Sequence, residues 1–159
     1  MSQLPHLALF QPDIPHNAGA ILRLAACMGC GLSVIEPAGF VWTAPKLKRA
    51  GLDYAADAHL QRHGDWQAFR DATAGRRLLL FTTRASTPYT DFAYRADDVL
   101  LFGRESAGVP DFVHAAADAR LLIPMRPGMR SLNVAQSAAM ALGEALRQTD
   151  GFPEPGEAE

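Results

Sequence analysis

Cysteine is scarce, with Cys27 and Cys30 the only two in a chain of 159 residues. No second cysteine pair or nearby histidine pair accompanies them, so a disulfide framework and a four-ligand zinc centre are both excluded, and no metal is expected. Their C-x-x-C spacing admits a thiol-redox reading. It falls inside an apolar helical pattern with no strand-to-helix cue before it, and buried helix thiols are the plainer account. Long apolar runs are also lacking. The uncharged stretches Leu24 to Ile35 and Ser131 to Gly143 are too short or too polar to span a bilayer, and the opening MSQLPH has no basic segment ahead of an apolar run. No membrane association or export is expected, which places the protein in the cytoplasm. Nor is there a G-x-G-x-x-G, a Walker loop, a G-x-S-x-G elbow or an H-E-x-x-H, and the five histidines show no ligand spacing.

An excess of positive charge is missing too. Fifteen Lys and Arg face 17 Asp and Glu, for a net charge of -2 and a pI near 6.2, which does not advertise a nucleic-acid binder. The distribution is uneven, however. Ala119 to Gly143 contains no acid but carries Arg120, Arg126 and Arg130, and Pro37 to Leu52 carries Lys46, Lys48 and Arg49 without an acid. Compensating charge collects in the tail at Asp150, Glu154, Glu157 and Glu159.

What is present is a globular composition: 48% hydrophobic and 20% charged residues, enough for one compact core. Short apolar runs, Leu7 to Phe10, Leu32 to Ile35, Leu78 to Thr82, Val99 to Phe102 and Leu121 to Ile123, read as buried strands. Helical patterns separate them, so the expected class is α/β, a parallel sheet covered by helices on both faces. Asn17 reads as the N-cap of a first helix whose apolar stripe is Ala18, Ile21, Leu22, Ala25 and Met28, with Gly29 and Gly31 stopping it. Arg23 falls off that stripe, on a face of small residues, Gly19, Ala20, Ala26 and Cys27. Short helices are expected over Asp65 to Ala72 and Pro110 to Ala117. In the last helix Asn133 and Gln136 resemble a capping box, ahead of a stripe of Ala135, Ala138, Ala139, Leu142 and Leu146. One domain over residues 1–150 and a frayed acidic tail over 151–159 are expected.

Three loops after predicted strands concentrate the chemistry, because open α/β sheets bind ligands at the C-terminal ends of their strands. P-H-N-A-G-A-I-L-R, from Pro15, sets Asn17 at a helix N-terminus that favours an anion, with Arg23 further along. G-R-E-S-A-G-V-P, from Gly103, combines glycines that permit close backbone approach with Glu105 at a strand end. I-P-M-R-P-G-M-R-S-L-N, from Ile123, has no acid; Met125 and Met129 suit a flat or thioether-bearing ligand, and Arg126 and Arg130 suit phosphate. Each has a bland alternative: a cap with a surface arginine, a tight turn with a solvated glutamate, and a rigid connector.

Taken together, Asn17-Gly19-Arg23, Gly103-Glu105-Gly108 and Ser131-Leu132-Asn133 resemble the three motifs of the SPOUT superfamily of RNA methyltransferases. With F-Q-P-D-I-P-H-N-A-G, I-E-P-A-G-F and L-K-R-A-G-L-D-Y, the chain is similar over residues 7 to 150 to the small, single-domain tRNA wobble-nucleotide 2′-O-methyltransferases of the TrmL type. The resemblance implies a C-terminal trefoil knot, which general topology rules would not suggest, and a homodimer packed through the first and last helices. It also implies S-adenosylmethionine as cofactor, held by Phe81, Thr82, Gly103, Ile123, Met125, Ser131 and Leu132.

The reaction so implied is methylation of the ribose 2′-hydroxyl of nucleotide 34, cytidine or a modified uridine, in leucine tRNAs. Arg23, Glu105, Ser131 and Asn133 are the implied catalytic set. A guanidinium, with a pKa above roughly 12, is a poor base, so Arg23 is read as an orienter of the 2′-oxygen or an adjacent phosphate. Asn17, Lys46, Lys48, Arg49, Arg126 and Arg130 are the candidate RNA contacts, and DNA is not expected as a substrate because it lacks the acceptor. Two alternatives stay open: methylation of another tRNA position or of ribosomal RNA, and a non-catalytic RNA-binding α/β module.

Overall fold

The computed structural model of the protein describes residues 3–42, 45, 54 and 57–156. In chain order its elements are β1 (His6–Phe10), α1 (Pro15–Met28), β2 (Leu32–Ile35), β3 (Leu60–His63), α2 (Trp66–Ala72), β4 (Leu78–Phe81), β5 (Thr87–Pro88), a 3-10 turn (Tyr89–Asp91), β6 (Val99–Phe102), α3 (Asp111–Ala116), β7 (Ala119–Leu122) and α4 (Val134–Gln148). The strands form one sheet in the order β3-β2-β1-β6-β4-β7-β5, with every pairing parallel.

Side chains alternate across the sheet with a period of two, and the two faces divide the helices. Leu7, Leu9, Leu32, Val34, Leu79, Leu100 and Phe102 pack with Ile21, Leu22 and Ala25 of α1 and Ala138, Leu142 and Leu146 of α4. Ala8, Phe10, Ile35, Leu80 and Leu101 face the other way, against Phe69 of α2 and Val113 of α3. The expected doubly covered parallel sheet is therefore present. β3 and β5 have no counterpart among the apolar runs of the sequence. They are the two sheet edges; Leu-Gln-Arg-His buries only its last residue well, and β5 is a two-residue strand containing Pro88, as edge positions tolerate.

Two helix starts differ in kind. α1 begins at Pro15 in its first turn, and its N-cap is Ile14 with no side-chain cap; Asn17 is not the cap. Proline suits that position because its fixed φ is helical and it has no N–H to leave unpaired. This starts the helix three residues earlier and turns the Asn17 side chain to other partners. Gly29 ends α1 in the left-handed region at φ 71°, where glycine carries no Cβ penalty. α4, by contrast, is capped as expected: Asn133 Oδ1 accepts from the backbone N–H of Ala135 at 2.8 Å and of Gln136 at 3.3 Å. Its buried face is Ala138, Ala141, Leu142, Ala145 and Leu146, rotated from the expected stripe, so that Ala139 is exposed. On α1, Gly19 is buried, while Arg23 and Cys27 are exposed.

Under the first two strands, buried Ser33 Oγ lies 2.7 Å from His6 Nε2 and 3.0 Å from His63 Nε2. Burial, reinforced by Arg76 and then His63, pushes the His6 pKa down from 6.5 to about 4. The unfolded chain would take up that proton near 6.5, so the stabilisation is complete above that pH and is lost as pH falls toward 4. We expect the loss to be on the order of 3 kcal/mol in denaturant unfolding, with the His6 ring staying neutral by NMR down to about pH 4; a His6 midpoint near 6.5 would contradict this packing.

Candidate functional site

Strands β1, β6, β4 and β7 are consecutive in the sheet, so the segments leaving their C-terminal ends converge along one edge. These segments enclose a cleft of about 440 Å³, a volume suited to a small-molecule ligand. Phe81, Thr82, Gly103, Ile123, Met125, Ser131 and Leu132, the seven candidate cofactor contacts, all line it. The Phe81 ring stacks on Phe102 with centroids 5.0 Å apart and planes 15° apart, giving the floor a rigid apolar element.

The loop after β6 is tightly closed. Arg104 and Gly108 exchange two backbone hydrogen bonds, 2.9 Å and 2.8 Å, and Gly108 takes a positive φ of 64°. A Cβ on Gly103 would lie 2.7 Å from the Gly108 carbonyl carbon, so glycine is required there to bring the two backbones together.

A chain of side-chain amides then ties the loops to one another. The N-cap residue Asn133 donates from Nδ2 to Asn17 Oδ1 at 2.9 Å, and Asn17 Nδ2 donates to Glu105 Oε1 at 3.4 Å. Glu105 Oε2 accepts the backbone N–H of Asp13 at 3.1 Å. Each orientation is forced: the helix N–H groups claim the Asn133 oxygen, which leaves its nitrogen for Asn17, which in turn presents its own nitrogen to the carboxyl of Glu105. Burial, and then the neighbouring Asp13 carboxyl, raises the Glu105 pKa above its ordinary value.

Of the remaining candidates, Arg23 is exposed and is absent from the lining of this cleft; its guanidinium lies 5.4 Å from the centre of the Tyr54 ring. Arg126 and Arg130 are exposed on the loop after β7 and do not line the cleft. Lys46, Lys48 and Arg49 lie outside the described residues. Met129 is exposed rather than part of the lining. Two polar groups escaped the sequence reading, Asp13 and Arg104. Both have a buried atom, Asp13 Oδ1 and Arg104 Nε, with no hydrogen-bond partner among the described residues. The cleft thus offers an apolar floor, the Met125 thioether, a backbone cradle at Gly103 and, in Arg104, a side chain with an unused donor. That set fits a ligand with a planar apolar part and a polar or anionic end.

The cysteines do not form a buried helix pair. Cys27 is exposed and Cys30 is buried beyond the end of α1, and burial pushes the Cys30 thiol up to about 11, the opposite of what a redox thiolate needs. Among the described residues no group of three or more His, Cys, Asp or Glu side chains is placed to hold a metal ion, and no helix is long and apolar enough to cross a membrane.

The model of the SpoU rRNA Methylase family matches residues 5–143. The chain belongs to this family. Among its SpoU relatives, the tRNA (cytidine(34)-2′-O)-methyltransferase of Beijerinckia indica is 60% identical over 144 residues, 89% of this chain and 90% of the relative. A solved structure concerned with 2′-OH methylation of C/U34 on tRNA is 43% identical with a TM-score of 0.88, covering 93% of this chain and 97% of that one. The SpoU methyltransferase AviRb of Streptomyces viridochromogenes, solved with AdoMet, superposes with a TM-score of 0.80 at 28% identity, over 92% of this chain and 60% of its own.

Within this SpoU cleft the close approach at Gly103 is the least forgiving element. Gly103→Ala is expected to weaken binding of S-adenosylhomocysteine at least about tenfold by calorimetry, since a backbone contact under 3 Å cannot relax by side-chain motion alone. Unchanged affinity would show that the 103–108 loop does not shape the ligand site.

Proposed function

We propose that this protein transfers the methyl group of S-adenosylmethionine to the ribose 2′-oxygen of nucleotide 34 of tRNA, a cytidine or modified uridine, with leucine tRNAs as substrates. The observation that carries the reading is the Asn133–Asn17–Glu105 relay, which unites three otherwise distant motifs around one cleft, in a chain 60% identical to a named cytidine-34 2′-O-methyltransferase. Residues 1–150 form the catalytic domain, and residues 151–159 are a tail outside it. The segment after β7 is threaded as a trefoil knot.

The cofactor supplies a methyl group already activated by its sulfonium. What the chain must add is alignment and exclusion of water. Phe81, Thr82, Gly103, Ile123, Met125, Ser131 and Leu132 hold the cofactor; Ser131 and Asn133 position the nucleotide, and Glu105 organises the loop. Arg23 orients the 2′-oxygen or a neighbouring phosphate. Because Arg23 lies outside the lining of the cleft in its own chain, the site is completed in a homodimer packed through α1 and α4, whose outward sides expose Cys27, Ala139 and Met140. Asn17 secures the relay, and Lys46, Lys48, Arg49, Arg126 and Arg130 contact RNA phosphates. The protein acts in the cytoplasm, where tRNA is found, and leaves DNA unreacted for want of a 2′-hydroxyl.

The deciding assay is transfer of labelled methyl to total tRNA from cells lacking the protein, followed by nuclease mapping. We expect a 2′-O-methylated nucleoside at position 34, reduced on the order of 100-fold by Arg23→Ala while cofactor affinity stays within about threefold. Label in ribosomal RNA, or at another tRNA position, would overturn the substrate; absence of cofactor binding would overturn the enzyme. In the same system, replacing Arg126 and Arg130 together by Ala is expected to weaken tRNA binding and to lower the salt dependence by about one to two counterions.

A further inference from the structure

Asp13 does not line the ligand cleft, yet it is one of the more constrained residues beside it. It sits between β1 and α1, where Pro12 is buried and accepts the Gly39 N–H at 2.8 Å. A Cβ on Gly39 would lie 2.8 Å from Asp13 Cβ, so the 36–42 segment packs directly against it. Its backbone N–H donates to Glu105 Oε2 at 3.1 Å, and the Ser106 hydroxyl donates to Asp13 Oδ2. Asp13 Oδ1 is buried with no partner among the described residues. A buried carboxylate oxygen without a donor is costly, and the Glu105 carboxyl is held against the same residue by the Asp13 backbone N–H. Two carboxyl groups confined together lower that cost by keeping one proton between them.

We propose that Asp13 is a positioning residue: it shares one proton with Glu105, and this bond fastens the 103–108 loop to the segment between β1 and α1, holding the ligand cleft in shape. The proton resides on Glu105, whose affinity for it is raised by burial and then by Asp13. Asp13 stays ionised, lowered first by the bond to Glu105 and further by Ser106 and Arg104. Around the pair, Arg104 is the charged neighbour from the loop, α1 and the α4 cap contribute the neutral amides of Asn17 and Asn133, and the 36–42 segment contributes Gly39. Since the folded-state pKa of Glu105 is raised, the bond is intact below that pKa and is lost as pH rises through it. Above it, two carboxylates face each other and the loop is loosened. The inference rests on the methyltransferase reading only for the ligand that reports on the cleft.

The test has two readouts. In unliganded protein, carbon-13 NMR should place the Glu105 carboxyl midpoint above 4.5, its ordinary value, with Asp13 titrating below its own; Asp13→Asn should return Glu105 toward the ordinary value. By calorimetry, wild-type protein should bind S-adenosylhomocysteine about fivefold more tightly at a pH below the Glu105 midpoint found by NMR than at a pH well above it. Asp13→Asn, whose amide donates at any pH, should abolish that difference, and Asp13→Ala should bind weakly at both. An ordinary Glu105 midpoint in the wild type, or an unchanged pH dependence in Asp13→Asn, overturns the shared proton. If the wild type binds no S-adenosylhomocysteine at either pH, the methyltransferase reading falls and the NMR titration still decides the pair.

Discussion

Asn133 spends both ends of its side-chain amide. Its oxygen caps α4 through the N–H groups of Ala135 and Gln136, and its nitrogen reaches back across the chain to Asn17. A cap of this kind contributes roughly 1 kcal/mol to a helix, but here the same residue also fixes where the helix begins relative to α1 and to the loop after β6. An aspartate could serve as the cap and would present no donor to Asn17; a serine would be too short for both tasks. The cleft depends on this double use, because Ser131 and Leu132, which line it, immediately precede Asn133 in the chain.

The sheet makes such an arrangement possible. Parallel pairing of β1, β6, β4 and β7 sends residues distant in sequence to one edge, and the two apolar faces anchor that edge from below. Glu105 and Asn17 are 88 positions apart, and Asn17 and Asn133 are 116 apart. Hydrogen bonds of this separation hold only where the sheet has already met the entropy cost of bringing the segments together. The helices on the two faces are unequal in this respect. α1 and α4 supply the relay as well as packing, whereas α2 and α3 bury Phe69 and Val113 against the opposite face and contribute nothing to the amide chain.

Much of this was legible in the sequence, for identifiable reasons. The runs L-L-L-F and V-L-L-F are buried on both sides, and a continuous apolar tetrapeptide bounded by polar residues has few other uses. The edge strands β3 and β5 were hidden because an edge needs no such run. Asn17 was legible as a residue of the candidate site, where it lines the cleft, and misread as a cap: asparagine ahead of an apolar stripe is a cap pattern, but Pro15 had already claimed the helix start. The α4 stripe was displaced because alanine is abundant all round that helix, so its pattern scarcely distinguishes the buried face from the exposed one. Asp13 and Arg104 were invisible because their importance lies in atoms left without partners, which no residue pattern encodes. Glu105, Ser131, Leu132 and Gly103 were legible as cleft-lining residues because they sit in the motifs that carry the family resemblance.

If the relay is the interaction on which the cleft depends, Asn17 and Asn133 must act on ligand binding as one unit. A double-mutant cycle with Asn17→Ala and Asn133→Ala, read by the affinity of the folded protein for S-adenosylhomocysteine, measures this directly. The account predicts that the second substitution costs little once the first is made, a coupling of about 1 kcal/mol or more. Effects that add to within about 0.3 kcal/mol would contradict it, leaving the two asparagines as independent residues that happen to touch.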